Sequence, residues 1–305
     1  MDALSSAAPT GGGPLAPATL TPVFATFFTA ILWGLWWVPI RWIEGMGLSG
    51  AQAGIICNLG AALAIAAYMI VARVPLRLSP RTVLGAALIG LAFSSYSVAL
   101  TLSDVVRVIL LFYLAPAWGK IIEWAFMGQR WRHASTLTLG LSLIGAYLVL
   151  GGDVSISSLG LGDVLALISG VSWAVGAALV FTGARSTASA LTLATVIWAG
   201  ALSLAFAVMT GESLPHPETG PAMGAALVLG VVYLLPILGL TAWSAQHLAP
   251  ALLSFLFTLE IVSGVGSGAL FLDEPFGLMQ LSGGLFIISA ALIEAVTALR
   301  KPAPS

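Results

Sequence analysis

Apolar residues fill ten long runs of the chain, and polar residues are concentrated in the short segments between them. A helix that crosses a bilayer needs about 20 mostly apolar residues. These runs are too long and continuous for barrel strands, and in lipid only helices or closed barrels satisfy their backbone. The pattern therefore predicts an all-α integral membrane protein with ten transmembrane helices. The predicted ranges are 22–42, 50–72, 81–101, 105–127, 134–151, 161–182, 188–210, 222–244, 248–272 and 275–298.

Composition agrees with a membrane protein. Charged residues make up 8% and apolar residues 59% of the 305 positions, whereas a soluble domain carries roughly a quarter charged residues. The net charge is −1, and there is no basic run that would bind phosphates. We therefore expect a lipid bilayer as the surroundings and no nucleic acid as a partner.

Lysine and arginine predict the orientation, because cytoplasmic segments carry an excess of both. With the N-terminus inside, the external segments hold only Arg41 and Arg107. The cytoplasmic segments hold Arg73, Arg77, Arg81, Arg130, Arg132, Arg185, Arg300 and Lys301. Both termini are therefore predicted to be cytoplasmic.

The sequence offers no catalytic constellation. Cys57 is the single cysteine, which excludes internal disulfides and cysteine-based metal sites. The three histidines lie in or beside loops, with no acidic cluster at metal-ligand spacing. A P-loop is also absent. We predict that the protein is not an enzyme and uses neither a metal nor another cofactor.

An internal repeat divides the chain. Leu110–Gln129 aligns without a gap on Phe255–Glu274, at an offset of 145 residues. Five helices per half is an odd number, so the second half must enter the membrane upside down. Inverted repeats of this kind are typical of secondary transporters. The predicted domains are a flexible tail (1–21), a first repeat (22–151), a second, inverted repeat (161–298) and a C-terminal tail (299–305).

Several motifs carry a family resemblance. Trp33 and Gly34 in the first helix, Pro116 in the fourth and the FLDEP segment ending in Pro275 resemble the drug/metabolite transporter superfamily, EamA-like branch. Within it the chain is most similar to bacterial aromatic and broad-specificity amino-acid exporters. Two positions depart from the family pattern. Gln129 replaces the usual glutamate that ends the first repeat's motif, and Ile261 replaces a proline.

Glu260 is the main candidate for chemistry. It stands near the middle of the ninth run, with no other charge from Leu248 to Leu272. An intramembrane acid is costly unless it faces a cavity or a partner. Three roles stay open, namely a ligand for a substrate amine, a proton-binding site, or a neutral side chain hydrogen-bonded between helices.

Aromatic residues near mid-span predict a cavity shared by helices one, four, six and eight. Tyrosine and tryptophan normally lie at the two membrane interfaces, and when buried their polar atoms need partners. Packing or lipid-facing roles are the alternative for any single ring. The mid-span set is Trp33, Trp37, Tyr113, Trp118, Trp173, Trp198 and Tyr233, with Tyr96 expected at the cavity mouth and Pro116 beside it.

Two pairs at i, i+3 spacing are candidate gates or ion pairs. Lys120 and Glu123 lie near the cytoplasmic end of the fourth helix, and Asp104 and Arg107 lie at its outer end. An inner-face ion pair is the alternative for the first pair, because both side chains can reach the interface.

The resemblance implies an exporter in the bacterial inner membrane that works by alternating access and binds amino acids, including Phe, Tyr, Trp, Thr and Met. Ten spans in one chain are sufficient for a monomer. The alternatives are an exporter of cationic drugs or other metabolites, with Glu260 as counter-ion, and a non-transporting membrane scaffold.

Overall fold

The computed structural model describes residues 17–126, 131, 133–149, 159–184, 186–212, 217–248, 250–272 and 277–299. Within these ranges the chain is helical with short connections and contains no strand. Gln129, Glu274 and five of the predicted cytoplasmic cations lie outside the described residues.

The described part of each of the ten predicted runs is helical. The first begins at Pro17, five residues before its predicted start. Three of them are interrupted and are written here as two halves. The helices are α1a (Pro17–Gly34), α1b (Trp37–Gly45), α2 (Gly50–Val71), α3 (Pro80–Leu102), α4a (Val105–Phe112), α4b (Ala115–Phe126), α5 (His133–Val149), α6 (Leu161–Phe181), α7 (Ala188–Met209), α8a (Gly220–Leu229), α8b (Leu235–His247), α9 (Pro250–Phe271) and α10 (Leu278–Leu299).

Seven of these helical segments are long and apolar enough to cross a membrane. They are Thr21–Gly45, Gly50–Val71, Pro80–Leu102, Val105–Ile122, Leu161–Val180, Ala188–Met209 and Gly220–Ala245. The described parts of α5, α9 and α10 contain shorter apolar stretches, Ser135–Val149, Leu259–Phe271 and Leu278–Ile293. The protein is therefore a multi-pass membrane protein, and the count of ten spans stays a prediction.

Local sequence explains where several helices begin. Ser49 accepts a hydrogen bond from the Gln52 N–H, and the Gln52 side chain accepts one from the Ser49 N–H, so α2 starts with a capping box. Ser79 caps α3 by accepting a hydrogen bond from the Thr82 N–H, with Pro80 in the first turn. Proline suits that turn because its missing N–H has no helical acceptor there.

Proline accounts for the three interruptions. Pro39 cannot donate to the Leu35 carbonyl, and the Val38 N–H donates to that carbonyl instead. Pro116 likewise leaves the Phe112 carbonyl without its usual helical donor, and residues 113–114 form a turn between α4a and α4b. Before Pro236, residues Gly230–Leu234 widen into a π-helical turn that joins α8a to α8b.

The ninth helix is uninterrupted. Ile261 stands where the family pattern places a proline, and α9 runs from Pro250 to Phe271 without a break. α9 therefore continues through this position, because Ile261 supplies the N–H that a proline would lack. The segment that aligns with it in the first half of the chain, α4, is broken.

The helices of the two halves pack in matching pairs. α1 packs on α8 and α9, and correspondingly α6 packs on α3 and α4. α2 packs on α8, and correspondingly α7 packs on α3. Three further contacts, α2–α7, α4–α9 and α5–α10, each join a helix of the first half to the helix at the same place in the second half. The core thus lies between the halves.

Glycines allow the closest crossings. A Cβ at Gly145 would lie 2.7 Å from the Gly283 carbonyl oxygen, and one at Gly283 would lie equally close to α5. At the α1–α9 crossing, Gly34 packs directly on the backbone at Glu260 and Gly264. Small residues at such crossings let helix backbones approach closely in membranes.

Candidate functional site

Glu260 lies in the protein interior, where α9 faces the break in α4. Its side chain is 6% exposed. Because Pro116 ends the regular hydrogen bonding of α4a, Tyr113 sits in the turn between the two halves of the helix. From there the Tyr113 hydroxyl lies 2.8 Å from Glu260 Oε2 and 2.7 Å from the Phe257 carbonyl oxygen. The break in one helix thus positions the partner of the acid in the other.

Helix α6 packs against the same break. A Cβ at Gly170 would lie 2.8 Å from the carbonyl oxygen of Phe112, which is the carbonyl that Pro116 leaves without a helical donor. Only a residue without a side chain fits at this distance. Gly170 therefore brings α6, and Trp173 one turn later, next to the acid.

Four rings form the first aromatic group, which we call the acid-side cluster (Tyr96, Phe112, Tyr113 and Trp173). Phe112 is its centre, with ring centroids 5.2 Å from Tyr96, 5.4 Å from Tyr113 and 6.3 Å from Trp173. These separations are within the range of favourable aromatic pairs. Three predicted site residues thus come together around a fourth ring, Phe112, that the sequence did not single out.

Four further rings form the second group, the α1-side cluster (Trp33, Trp36, Phe93 and Tyr233). Phe93 lies 5.4 Å from Trp33 and 5.5 Å from Trp36, and Trp36 lies 5.6 Å from Tyr233. The π-helical turn carries Tyr233, and such turns are frequent at functional sites. Phe93 and Tyr96 are one turn apart on α3, so this helix connects the two clusters.

Each polar atom of the α1-side cluster has a hydrogen-bond partner on another helix. Trp33 donates to Thr241 Oγ1 at 3.0 Å, Trp36 donates to Ser97 Oγ at 3.0 Å, and Tyr233 donates to the Leu32 carbonyl at 2.6 Å. Buried tryptophan and tyrosine need such partners. The bonds hold the rings toward the protein interior.

Other predicted site residues lie elsewhere. Trp37 donates to Ser267 Oγ on α9 at 2.9 Å and contributes to the contact between α1b and α9. Trp118 packs against the core from α4b, and the side chain of Pro116 is outside the described residues. Trp198 on α7 is 40% exposed, so its expected place in the cavity is wrong.

The candidate gate residues have partners that the spacing did not predict. Arg107 forms an ion pair of 2.7 Å with Asp163 of α6, and Ser103 donates to the same carboxylate at 3.0 Å. Arg41 donates to the Ser103 carbonyl at 3.1 Å. Asp104 is exposed at the start of α4a. This network, which we call the outer cluster because it lies at the predicted outer end of α4, joins the ends of α1, α3, α4 and α6.

The inner candidate pair is only partly described. Lys120 is half-buried on α4b, and the side chain of Glu123 lies outside the described residues. The predicted pairing of these two residues stays a prediction. In the described ranges, no group of three or more His, Cys, Asp or Glu side chains could hold a metal ion.

Sequence reasoning missed Trp36, Phe93, Phe112 and Asp163. Trp36 carried a signal, since it is three residues after Trp33 and helical spacing places the two rings on neighbouring parts of one face. Asp163 carried a signal, since it is an acid in the first turn of a predicted span and needs a partner there.

One sequence model of a known family matches part of the chain. Residues 160–294 match the sequence model of the EamA-like transporter family. The second half of the chain is thus similar to an EamA-like domain. This range nearly coincides with the predicted second repeat.

The fold is also similar to that of a protein of known structure. One protein of known structure, described only as "Crystal structure of protein", superimposes with a TM-score of 0.57 at 17% identity, covering 92% of this chain and 98% of that one. At this identity the likeness concerns the fold alone. No protein of curated function matches the sequence.

Proposed function

We propose that this protein exports amino acids of broad specificity, including Phe, Tyr, Trp, Thr and Met, across a bacterial inner membrane. The observation that carries the proposal is the buried Tyr113–Glu260 pair inside the acid-side cluster, at the contact between the two halves of the chain. An amino acid has an ammonium group that a carboxylate can bind and, in many cases, an apolar side chain that rings can contact.

The helix packing supports an inverted repeat as the framework. Exchange of the first and second five helices maps the main helix contacts onto each other. Gly90 and Gly230 occupy corresponding crossings, since Gly90 of α3 packs on Ala199 of α7 and Gly230 of α8 packs on Cys57 of α2. Such repeats place the substrate site near the membrane midplane between the halves.

Alternating access requires that parts of the bundle move against each other. The three helices with breaks, α1, α4 and α8, correspond to three continuous helices in the other half, α6, α9 and α3. Each matched pair thus combines one helix that can bend at a proline with one that cannot bend there. We propose that α1, α4 and α8 bend while their partners tilt as rigid bodies.

The direction of transport and the amino-acid cargo rest on the resemblance to amino-acid exporters, and the EamA-like domain supports transport of a small solute. A carboxylate among rings also suits a cationic drug, because aromatic faces and an acid both attract cations. Purified protein in liposomes separates these cargoes. We expect efflux of Phe and Thr, whereas efflux of cationic dyes without any amino-acid transport would contradict the proposal.

A further inference from the structure

We propose that the outer cluster is a gate centred on Asp163, and that this gate keeps the resting protein closed to the outside. The inference rests on the proposed function, because alternating access requires a state that is closed at each end in turn. It goes beyond that function by identifying the residue that favours one of the two states.

The carboxylate of Asp163 is held by three different segments of the chain. Arg107 of α4a lies 2.7 Å from Oδ2, and the Gly160 N–H before α6 donates to the same oxygen at 3.0 Å. Ser103, at the end of α3, donates to Oδ1 at 3.0 Å. The Asp163 side chain is only 4% exposed, and a buried charge needs such partners. It therefore joins the start of α6, in the second half, to the ends of α3 and α4 in the first.

The backbone at the start of α6 allows this contact. A Cβ at Gly162 would lie 2.7 Å from the Ser103 Cβ and 3.1 Å from the Leu102 carbonyl carbon. A larger residue would push α6 away from the end of α3, because small residues let helices approach closely. Next to the cluster, Val105 and Ile109 of α4a are fully buried. The predicted outer end is thus closed where α3, α4 and α6 meet.

A second carboxylate joins the two halves at the same end of the bundle. The Ser49 hydroxyl, at the start of α2, donates to Glu212, which follows α7. The same hydroxyl accepts from the Gln52 N–H, so the helix cap holds it in position. In both contacts a serine of the first half donates to an acid of the second half. Polar contacts therefore close this end on two sides of the bundle.

The opposite end lacks the charges that would form an equivalent gate. In an inverted repeat that rocks, closure of the other end would use the corresponding residues of the exchanged halves. The offset of 145 residues places the first residue of α4a on the first residue of α9. At this offset Arg107 corresponds to Leu252. Ser103 likewise corresponds to Leu248, and α1a, the counterpart of α6, contains no charged residue that could replace Asp163.

This asymmetry favours one resting state. Opening to the outside separates Asp163 from Arg107 and Ser103, whereas opening to the cytoplasm breaks no corresponding ion pair. Only interactions that differ between two states shift the equilibrium between them. A nearly buried carboxylate that loses its partners is strongly unfavourable. The state that is closed to the outside is therefore the more populated one.

Labelling of a single thiol from each side of the membrane tests the gate without requiring transport. In a Cys57→Ala background, Trp173→Cys places the only thiol in the acid-side cluster. We expect a membrane-impermeant thiol reagent to label it in inside-out vesicles and hardly at all in intact cells. Asp163→Asn should raise labelling in intact cells about 10-fold, because loss of a hydrogen bond to a charged group shifts a two-state equilibrium by about that factor. Labelling in inside-out vesicles should not rise, whereas a general loosening of the protein would raise both.

Two further variants complete the test. Arg107→Gln removes the ion pair without altering α6, so it should also raise labelling in intact cells, and it replaces Asp163→Asn if that variant does not fold. Glu44→Gln is the matched control, since its contact with Arg41 at the same end is 3.8 Å long and partly exposed. It should leave labelling unchanged.

Equal labelling of the parent and the two outer-cluster variants in intact cells would overturn the proposal, and so would strong labelling of the parent there. Efflux of Phe is measured separately in proteoliposomes. Absence of any amino-acid movement would overturn the proposed function, and the labelling would still decide whether the gate exists.

Discussion

The hydroxyl of Tyr113 lies 2.8 Å from Glu260 Oε2, and this contact joins a broken helix to an unbroken one. The two residues come from segments that align in the internal repeat, but they are not equivalent positions. Tyr113 aligns with Thr258, and Glu260 aligns with Ala115. The two halves therefore contribute different groups to one site, the phenol from the first and the acid from the second.

Replacement of Trp173 should alter cargo preference. The ring centroids of Trp173 and Phe112 in the acid-side cluster are 6.3 Å apart. An aromatic pair of this kind contributes about 0.5–1.5 kcal/mol. We expect Trp173→Ala to reduce transport of Phe about 2- to 10-fold relative to Thr, as measured by competition in proteoliposomes. Trp198→Ala removes an exposed ring and should leave the ratio unchanged. An equal loss for Phe and Thr would argue against a ring-to-ring contact with the cargo.

The Arg107–Asp163 ion pair should stabilise the outer ends of the helices. Asp163 is nearly buried and also accepts from Ser103, and a hydrogen bond to a charged group contributes about 1.5–3 kcal/mol. We expect Asp163→Asn to lower the thermal unfolding midpoint in detergent by several degrees. Glu44→Gln is the matched control, because Arg41 and Glu44 are 3.8 Å apart and each about one third exposed.

A partly exposed pair at this long distance contributes at most about 1 kcal/mol, so Glu44→Gln should barely shift the midpoint. Equal shifts for the two variants would show that the outer cluster has no special role. A double-mutant cycle with Arg107→Gln would then measure the coupling between Arg107 and Asp163 directly.

The crossing of α5 and α10 should depend on the absence of a side chain at Gly145. A Cβ there would approach the Gly283 carbonyl and the Ile287 side chain at 2.7 Å, and overpacking typically costs about 1–3 kcal/mol. We expect Gly145→Ala to lower the unfolding midpoint. Gly140→Ala on the same helix is the control, since no atom lies within 4 Å of its added Cβ. If Gly145→Ala left the unfolding midpoint unchanged, α5 and α10 would have moved apart without a loss of stability, which would contradict this prediction.

Hydropathy predicted the helical segments closely, because the bilayer imposes length and apolarity on each of them. Proline chemistry likewise accounts for the break before Pro116 and for the unbroken α9 at Ile261. Neither hydropathy nor proline chemistry predicts which helices contact each other when they are far apart in the sequence. Tyr113 and Glu260 were both candidates, but their pairing depends on how α4 and α9 cross. The partner of Arg107 proved to be Asp163 of α6, since i, i+3 spacing carries no information about other helices.

The predicted orientation can be checked with a single thiol. Cys57 is fully buried, so Cys57→Ala should provide a background without reactive cysteines. In that background, we expect Ser305→Cys to react with a membrane-impermeant thiol reagent only after the cytoplasmic side is opened. Labelling of intact cells would place the C-terminus outside and contradict the orientation.

The central claim is that Glu260, held by Tyr113 among the rings, binds the amino group of a transported amino acid. Efflux of labelled Phe and Thr from proteoliposomes, compared between the unaltered protein and Glu260→Gln, tests it most directly. Loss of a hydrogen bond to a charged group costs about 1.5–3 kcal/mol, so we predict that Glu260→Gln binds both cargoes roughly 10- to 100-fold more weakly while remaining folded. Equal transport by the two proteins at limiting cargo concentration would contradict the account.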